Sequence, residues 1–270
     1  MSASLTLNWP AETLWSQIEP HWPGFSVEVL PTLDSTNSTL MERARAGQAW
    51  PVLLVAEQQT AGRGRMGRSW LSEQAVGQSL TFSLALPMDE ADLSGLSLVA
   101  GCALAQGLDP LQRHGIRLKW PNDLWLQQRK LGGILVEVCI LGRQRHVVIG
   151  CGINIAAPPV LPAAAAGQAR VTPPAWVQQF APGVLAPEVL LQVAMPLALA
   201  MKQFSVQGFA PWQAEFARRD ALAGQLVRLS DGSEGLASGV NAQGGLLIRQ
   251  LDGQLHEVLS QEVSVRPAGG

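Results

Sequence analysis

The sequence predicts an α+β fold: a layered helix-and-sheet domain over residues 1–219, then a small β-barrel domain over residues 220–270. Three observations predict it. Strand-like runs alternate with helical periodicity as far as Arg219. Beyond it, short Val/Leu runs are separated by Asp231-Gly232, Gln243-Gly244-Gly245 and Asp252-Gly253, the closely spaced turn chemistry of a small barrel. No internal repeat is visible, so a sheet-and-helix layer followed by a separate all-β unit is the architecture that fits. The boundary falls near Asp220, and 270 residues leave room for both units.

The elements follow in order. Residues 1–30 hold several Trp and Pro residues and no clear period. Asp34-Ser35-Thr36-Asn37 then leads into a short helix from Thr39 to Ala46, stopped by Gly47, because Ser, Thr, Asp and Asn satisfy the free N–H groups of a helix start. Pro51 to Glu57 is a buried strand, and a Gly/Arg loop runs from it to about Ser69. Ser79 to Pro87 alternates Leu80, Phe82, Leu84 and Leu86 with smaller residues, which is strand periodicity. Ser94 to Leu111 has helical spacing, and its Gly101 and Gly107 predict close packing. Arg117 to Trp120 is a strand broken by the turn Pro121-Asn122-Asp123. Leu124 to Leu126, Ile134 to Ile140 and Val147 to Ile155 read as successive antiparallel strands, the first two joined by a turn at Gln127 to Lys130. Ala156 to Pro187 is an Ala/Pro-rich surface excursion. Val189 to Phe204 is a helix that Pro196 should kink, and Phe209 to Arg219 is another.

Composition narrows the function. Hydrophobic residues at 47% support a sizeable core. Charged residues at 15% and a net charge of −2 lack the basic surplus of a nucleic-acid-gripping protein, so anion binding must come from a local cluster. Cys102, Cys139 and Cys151 have neither metal-ligand spacing nor a disulfide pattern, and the dispersed histidines form no metal pair. The N-terminus carries no basic-then-apolar signal, and no run reaches the about 18 uninterrupted apolar residues of a membrane helix, so the cytoplasm is the expectation.

Three stretches carry candidate chemistry. In Gln58 to Arg68, Gly62, Gly64 and Gly67 free the backbone, and Arg63, Arg65 and Arg68 supply forked donors suited to carboxylates and phosphates. The stretch is not a P-loop, and a basic surface loop has the same composition. In Lys119 to Ile134, Lys130 precedes Gly132-Gly133, which clear space for a ligand; an ammonium fixed there stabilises charge growing on phosphorus. The plainer alternatives are a solvated hairpin lysine, with Lys119 and Trp120 packing at a strand edge. In Gly150-Cys151-Gly152-Ile153-Asn154, the glycines could present backbone groups and the Asn amide could read a purine edge; a bulged strand is the alternative. Cys151 reads better as a small buried residue than as a nucleophile.

Together with Asp34 to Asn37, these stretches resemble those of the biotin–protein ligases in kind, order and approximate spacing over residues 30–155. The resemblance implies a class II synthetase-like catalytic domain with a mixed or antiparallel sheet, and an SH3-like C-terminal barrel in which Ser260-Gln261-Glu262-Val263 departs from the usual Gly-Glu-Val. It implies that biotin is held by Ser35, Thr36, Asn37, Gln59, Arg63, Gly64, Arg65, Lys130, Gly133, Gly150 and Gly152. It implies that the nucleotide is held by Arg65, Arg68, Asn122, Asp123, Lys130, Asn154 and Trp176, with Lys130 and Arg65 catalytic. The substrates would be biotin and Mg²⁺-bound ATP, the partner a carboxylase's biotin carboxyl carrier domain, with neither a protein-bound metal nor nucleic acid nor a membrane involved. About thirty residues precede the first motif, too few for the N-terminal DNA-binding domain of some relatives. A homodimer is left open. The rival readings are a lipoate ligase or octanoyltransferase, which could use Cys151, and a non-catalytic ligand-binding regulator.

Overall fold

A computed structural model of the chain describes residues 7–70, 76–89, 92–142, 144–158, 173–229, 232–250, 253–259 and 266–267. Ser260 to Val263 and residues 159–172 of the Ala/Pro-rich stretch lie outside these residues; the rest of that stretch is not all surface, since Ala175, Val177 and Ala186 are buried and a helix begins at Ala186. Seven strands form one sheet in the order β1-β2-β3-β7-β6-β5-β4: β1 (Ser26–Leu33), β2 (Val52–Gln59), β3 (Ser79–Pro87), β4 (Arg117–Lys119), β5 (Asp123–Leu126), β6 (Arg129–Leu141) and β7 (Gln144–Asn154). The sheet is mixed, because β1 and β2 run parallel and every other pair is antiparallel.

Helices cover both faces. On one side α1 (Ala11–Ile18), α3 (Leu96–Leu108) and α4 (Ala186–Gln207) enclose the main core with Leu53, Val55, Phe82, Leu84, Ile149 and Ile153. On the other, α2 (Thr36–Arg45) lays Leu40, Met41 and Ala44 on Val52, Leu54, Ala85 and Val148. Strand β2 is thus buried on both faces, which explains its unbroken apolar run. Among the described helices α4 is the one long and apolar enough to cross a bilayer; here it packs on α3.

Close packing at the α3 glycines is found. A Cβ on Gly107 would lie 2.6 Å from the Gln192 carbonyl on α4, and one on Gly101 would lie 3.2 Å from Leu118. Four local readings change. Helix α1 and strand β1 occupy residues read as featureless. Helix α2 begins at Thr36, with the Ser35 hydroxyl capping Ser38 N–H. The β5–β6 turn is only Gln127-Gln128, both at positive φ, so Lys130 stands on strand β6 rather than in the turn. Such a φ pair is what a tight two-residue hairpin requires. Helix α4 runs continuously through Pro196.

The C-terminal part is a five-stranded antiparallel sheet, ordered β11-β10-β9-β8-β12, from β8 (Leu226–Arg228), β9 (Glu234–Val240), β10 (Leu246–Arg249), β11 (Leu255–Val258) and β12 (Arg266–Pro267). It follows α5 (Gln213–Arg219) and rests on the α3 end of the first unit, where the Trp120 indole donates to the Gly244 carbonyl at 2.9 Å.

Candidate active site

The α2-facing side of the central strands carries a patch that does not belong in a core. Ser35, Thr36, Asn37, Gln59, Thr81 and Ser83 are all buried there, none more than 6% exposed. Buried polar groups need partners; Thr81 donates to the Ala56 carbonyl at 2.9 Å, Ser35 accepts from Ser38 N–H, and the other four are linked to one another. Thr36 donates through its backbone N–H (2.8 Å) and hydroxyl (3.1 Å) to Gln59 Oε1. The Ser83 hydroxyl lies 2.6 Å from both Thr36 Oγ1 and Asn37 Oδ1. A hydroxyl carries one proton, so Ser83 serves one acceptor at a time and leaves the other for a ligand N–H. The Asn37 Nδ2 protons go to the Leu135 carbonyl (3.2 Å) and Glu137 Oε2 (3.0 Å).

Glycines make the hollow above this network. A Cβ on Gly150 would fall 2.1 Å from Asn37 Oδ1, and one on Gly152 would fall 2.4 Å from the Trp70 ring. The resulting hollow, open to solvent, spans about 460 Å³, and its wall includes all eleven residues expected to hold biotin. It also includes Trp70, Thr81 and Leu135, which the sequence did not single out. Trp70 directly follows the Gly/Arg loop, and its indole N–H is buried without a hydrogen-bond partner.

The loop closes one end. Gly64 N–H donates to the Arg68 carbonyl at 2.7 Å and Trp70 N–H to the Gly62 carbonyl at 2.8 Å, so residues 62–70 form a compact turn with Met66 and Gly67 at positive φ. Arg63 pairs with Glu137 at 3.0 Å. Arg65 turns inward and donates to Asn122 Oδ1 at 3.3 Å. Burial pushes the Arg65 guanidinium below its ordinary value; Asp123 opposes that shift and Arg68 adds to it. A half-desolvated cation of this kind gains from an anion placed beside it.

A second cavity of about 740 Å³ adjoins the first and shares Gly64, Arg65, Trp70, Asn122 and Lys130 with it. Arg68, Lys119 and Asp123 complete its charged wall. Lys130 stands at the seam, held by Asp123 at 2.7 Å. A Cβ on Gly133 would approach its Nζ to 3.1 Å, so the glycine leaves the ammonium room.

Two candidates stand apart from both cavities. The Asn154 side chain donates to the carbonyls of Lys130 (3.3 Å) and Ala175 (3.0 Å), tying the chain before Trp176 to strand β6. Trp176 lies under the Arg129 guanidinium, 5.8 Å from its ring centroid. Cys151 is buried, and burial pushes its thiol far above the ordinary range, the opposite of an activated nucleophile.

The chain is 36% identical over 261 residues to the bifunctional ligase/repressor BirA of Escherichia coli, a span of 93% of this chain and 78% of that protein. The match to the biotin–[acetyl-CoA-carboxylase] ligase of Paracoccus denitrificans is 33% over 231 residues, 82% of this chain and 93% of that protein. The chain belongs to the biotin/lipoate A/B protein ligase family. The family model matches residues 29–154, which contain every residue lining the first cavity. Among solved members, the Aquifex aeolicus biotin protein ligase in complex with biotin and ATP superposes with a TM-score of 0.72 at 29% identity, over 90% of this chain and 99% of that one.

Proposed function

We propose that this family member is an ATP-dependent biotin–protein ligase. It couples biotin to Mg²⁺-bound ATP, giving biotinyl-5′-AMP and pyrophosphate, then passes the biotinyl group to a lysine of a carboxylase's biotin carboxyl carrier domain. The observation that carries this reading is the seam. A pocket with buried hydrogen-bonding groups adjoins a cation-rimmed cavity, and Arg65 and Lys130 border both.

In the first step a carboxylate oxygen attacks the α-phosphorus and the bond to pyrophosphate breaks. Negative charge builds between the two substrates, where Lys130 and Arg65 offset it in a partly dehydrated setting. Ser35, Thr36, Asn37 and Gln59 supply donors and acceptors for the ureido ring, and Gly133, Gly150 and Gly152 leave room for it. Arg63 and Gly64 lie in the loop that keeps water from the mixed anhydride. Arg68, Asn122 and Asp123 serve the nucleotide side; Asn154 and Trp176, which line neither cavity, are assigned to the nucleotide by the family resemblance alone. In the second step a neutral carrier lysine attacks the acyl carbon, AMP leaves with the phosphate oxygen, and the amine proton passes to solvent. No enzyme thiol is needed.

On this reading residues 1–219 carry the chemistry and residues 220–270 form the second domain. The enzyme works in the cytoplasm without nucleic acid or membrane, and a homodimer is compatible with it. Incubation with ATP, Mg²⁺ and biotin or lipoate, with and without a carrier domain, tests the reading by pyrophosphate release and intact mass. Biotin-dependent pyrophosphate release and one added biotinyl group per carrier support it. Acyl transfer without ATP, a preference for lipoate, or binding without turnover overturns it.

A further inference from the structure

Glu137 has no part in the scheme above, yet it sits where a carboxylate is costly. It lies on β6 between Leu135 and Cys139, on the face that packs against α2, with its side chain only 20% exposed. A carboxylate in such a place must be paired. Its two partners come from opposite parts of the site. Arg63, from the Gly/Arg loop, reaches it with Nη2 at 3.0 Å from Oε1 and Nη1 at 3.4 Å from Oε2, a forked contact. Asn37, from the buried network, donates Nδ2 to Oε2 at 3.0 Å. The Leu135 carbonyl takes the other Nδ2 contact, so both amide protons are committed away from the cavity and Oδ1 faces Ser83 and Gly150.

We propose that Glu137 is a positioning residue that latches the loop through Arg63 and fixes the Asn37 amide with its oxygen toward the ligand. This deepens the ligase reading and rests on it. One carboxylate thereby ties two requirements of the first step together: a closed loop over the anhydride, and an acceptor rather than a donor facing the ureido N–H. Without Glu137 the amide loses a strong reason not to rotate, and rotation would set N–H against N–H. Arg63 meanwhile loses its ionic partner and keeps the weak contact to Ser38 Oγ at 3.4 Å, while Arg65 still holds Asn122 at 3.3 Å.

The two roles separate in two variants. Glu137→Gln keeps an oxygen that accepts from Asn37 but loses the charge that holds Arg63; Glu137→Ala loses both. Release of radiolabelled biotinyl-AMP from the enzyme and the KM for biotin are the readouts, with Tm as the check on folding. In Glu137→Gln, release rises roughly three- to fivefold, the scale of a half-exposed ion pair, while KM stays within about twofold. In Glu137→Ala the same leak appears and KM rises roughly tenfold or more, as for a lost charged hydrogen bond. Arg63→Leu reproduces the leak, and Glu137→Gln added to it changes nothing further. This pair decides the question if Glu137→Ala does not fold. Wild-type synthesis of biotinyl-AMP with an unchanged leak in Glu137→Gln, or leak and KM moving together in that variant, overturns the latch alone. No biotinyl-AMP from the wild-type enzyme overturns the ligase reading and the latch with it.

Discussion

Gly150 offers a direct test of the buried network, because a methyl there displaces Asn37 and narrows the hollow beside it. It sits in mid-strand between Ser83 on β3 and Leu135 on β6, at a φ that alanine accepts, so Gly150→Ala leaves the sheet intact. The new methyl would nonetheless fall 2.1 Å from Asn37 Oδ1 and 2.8 Å from its Cγ, far inside contact distance. Asn37 must move by more than an ångström, and its contacts to Ser83 (2.6 Å), Glu137 (3.0 Å) and Leu135 (3.2 Å) cannot all survive. Losing one charged and one or two neutral hydrogen bonds costs about 2–4 kcal/mol. Expressed in ligand binding, that is a rise of about 30- to 700-fold in the KM for biotin. The assay is biotin-dependent pyrophosphate release, with Tm measured alongside. Asn37→Ala should lose a similar amount, and adding Gly150→Ala to it should cost less than Gly150→Ala costs alone, since the two share the Asn37 amide. A Gly150→Ala enzyme with a biotin KM within threefold of wild type refutes the argument, because Asn37 would then have no part in reading the ligand.

Further outcomes follow from the same geometry. Lys130→Ala should lower kcat for pyrophosphate release by about 10²- to 10³-fold, the scale of removing one donor aimed at developing charge, with little change in Tm because the side chain is 43% exposed. Cys151→Ala should keep activity within about threefold, as measured by carrier mass; loss of transfer with adenylation intact would revive the thiol route. Acid stability should depend on Glu215. Burial pushes its carboxyl up, but the hydrogen bonds and charges of Arg219 and Arg218 outweigh that and set it below its ordinary value. A depressed folded pKa gives stability that is complete above the unfolded value of about 4.3 and lost as pH falls through the folded one. Glu215→Gln should therefore flatten the fall of Tm below about pH 4.5 and lower Tm at pH 7, because Arg219, 1% exposed, loses its counter-charge at a cost of about 3 kcal/mol.

Much of the fold was legible because local chemistry and tertiary role agree. Strand β3 runs from Ser79 to Pro87, the limits its alternation gives, and α2 stops at a glycine with φ +82°. Elements escaped notice where the local signal is missing. Helix α1 has Pro10 before it and no side-chain cap, and its eight residues bury only Leu14 and Ile18. Strand β1 contains Pro31, which argues against a strand in general but not here. Strand β1 lies at the sheet's edge, and its register to β2 pairs Leu30 and Thr32 while passing over Pro31.

The candidate site was legible in its motifs and hidden in its cross-strand rows. Thr81 and Ser83 alternate with large apolar residues, which in one strand reads as a solvent-facing side; the structure buries them, 2% and 0% exposed, because α2 and the Gly/Arg loop cover that face. Only register shows why the cover leaves a hollow. One row across the sheet reads Thr81, Gly152, Gly133, Asp123, and the next reads Ser83, Gly150, Leu135. Glycines therefore stand between a buried hydroxyl and the carboxylate that holds Lys130, forming a trench from the hydrogen-bonding pocket to the cationic seam. Residues distant in the chain become neighbours in that trench through strand pairing alone. Glu137 shares this history: along β6 it is one polar residue in an apolar run, and its meaning comes from Asn37 and Arg63, which two other segments bring to it. A single sequence names candidate site residues when motifs hold them together, and it passes over those whose partners come from distant segments.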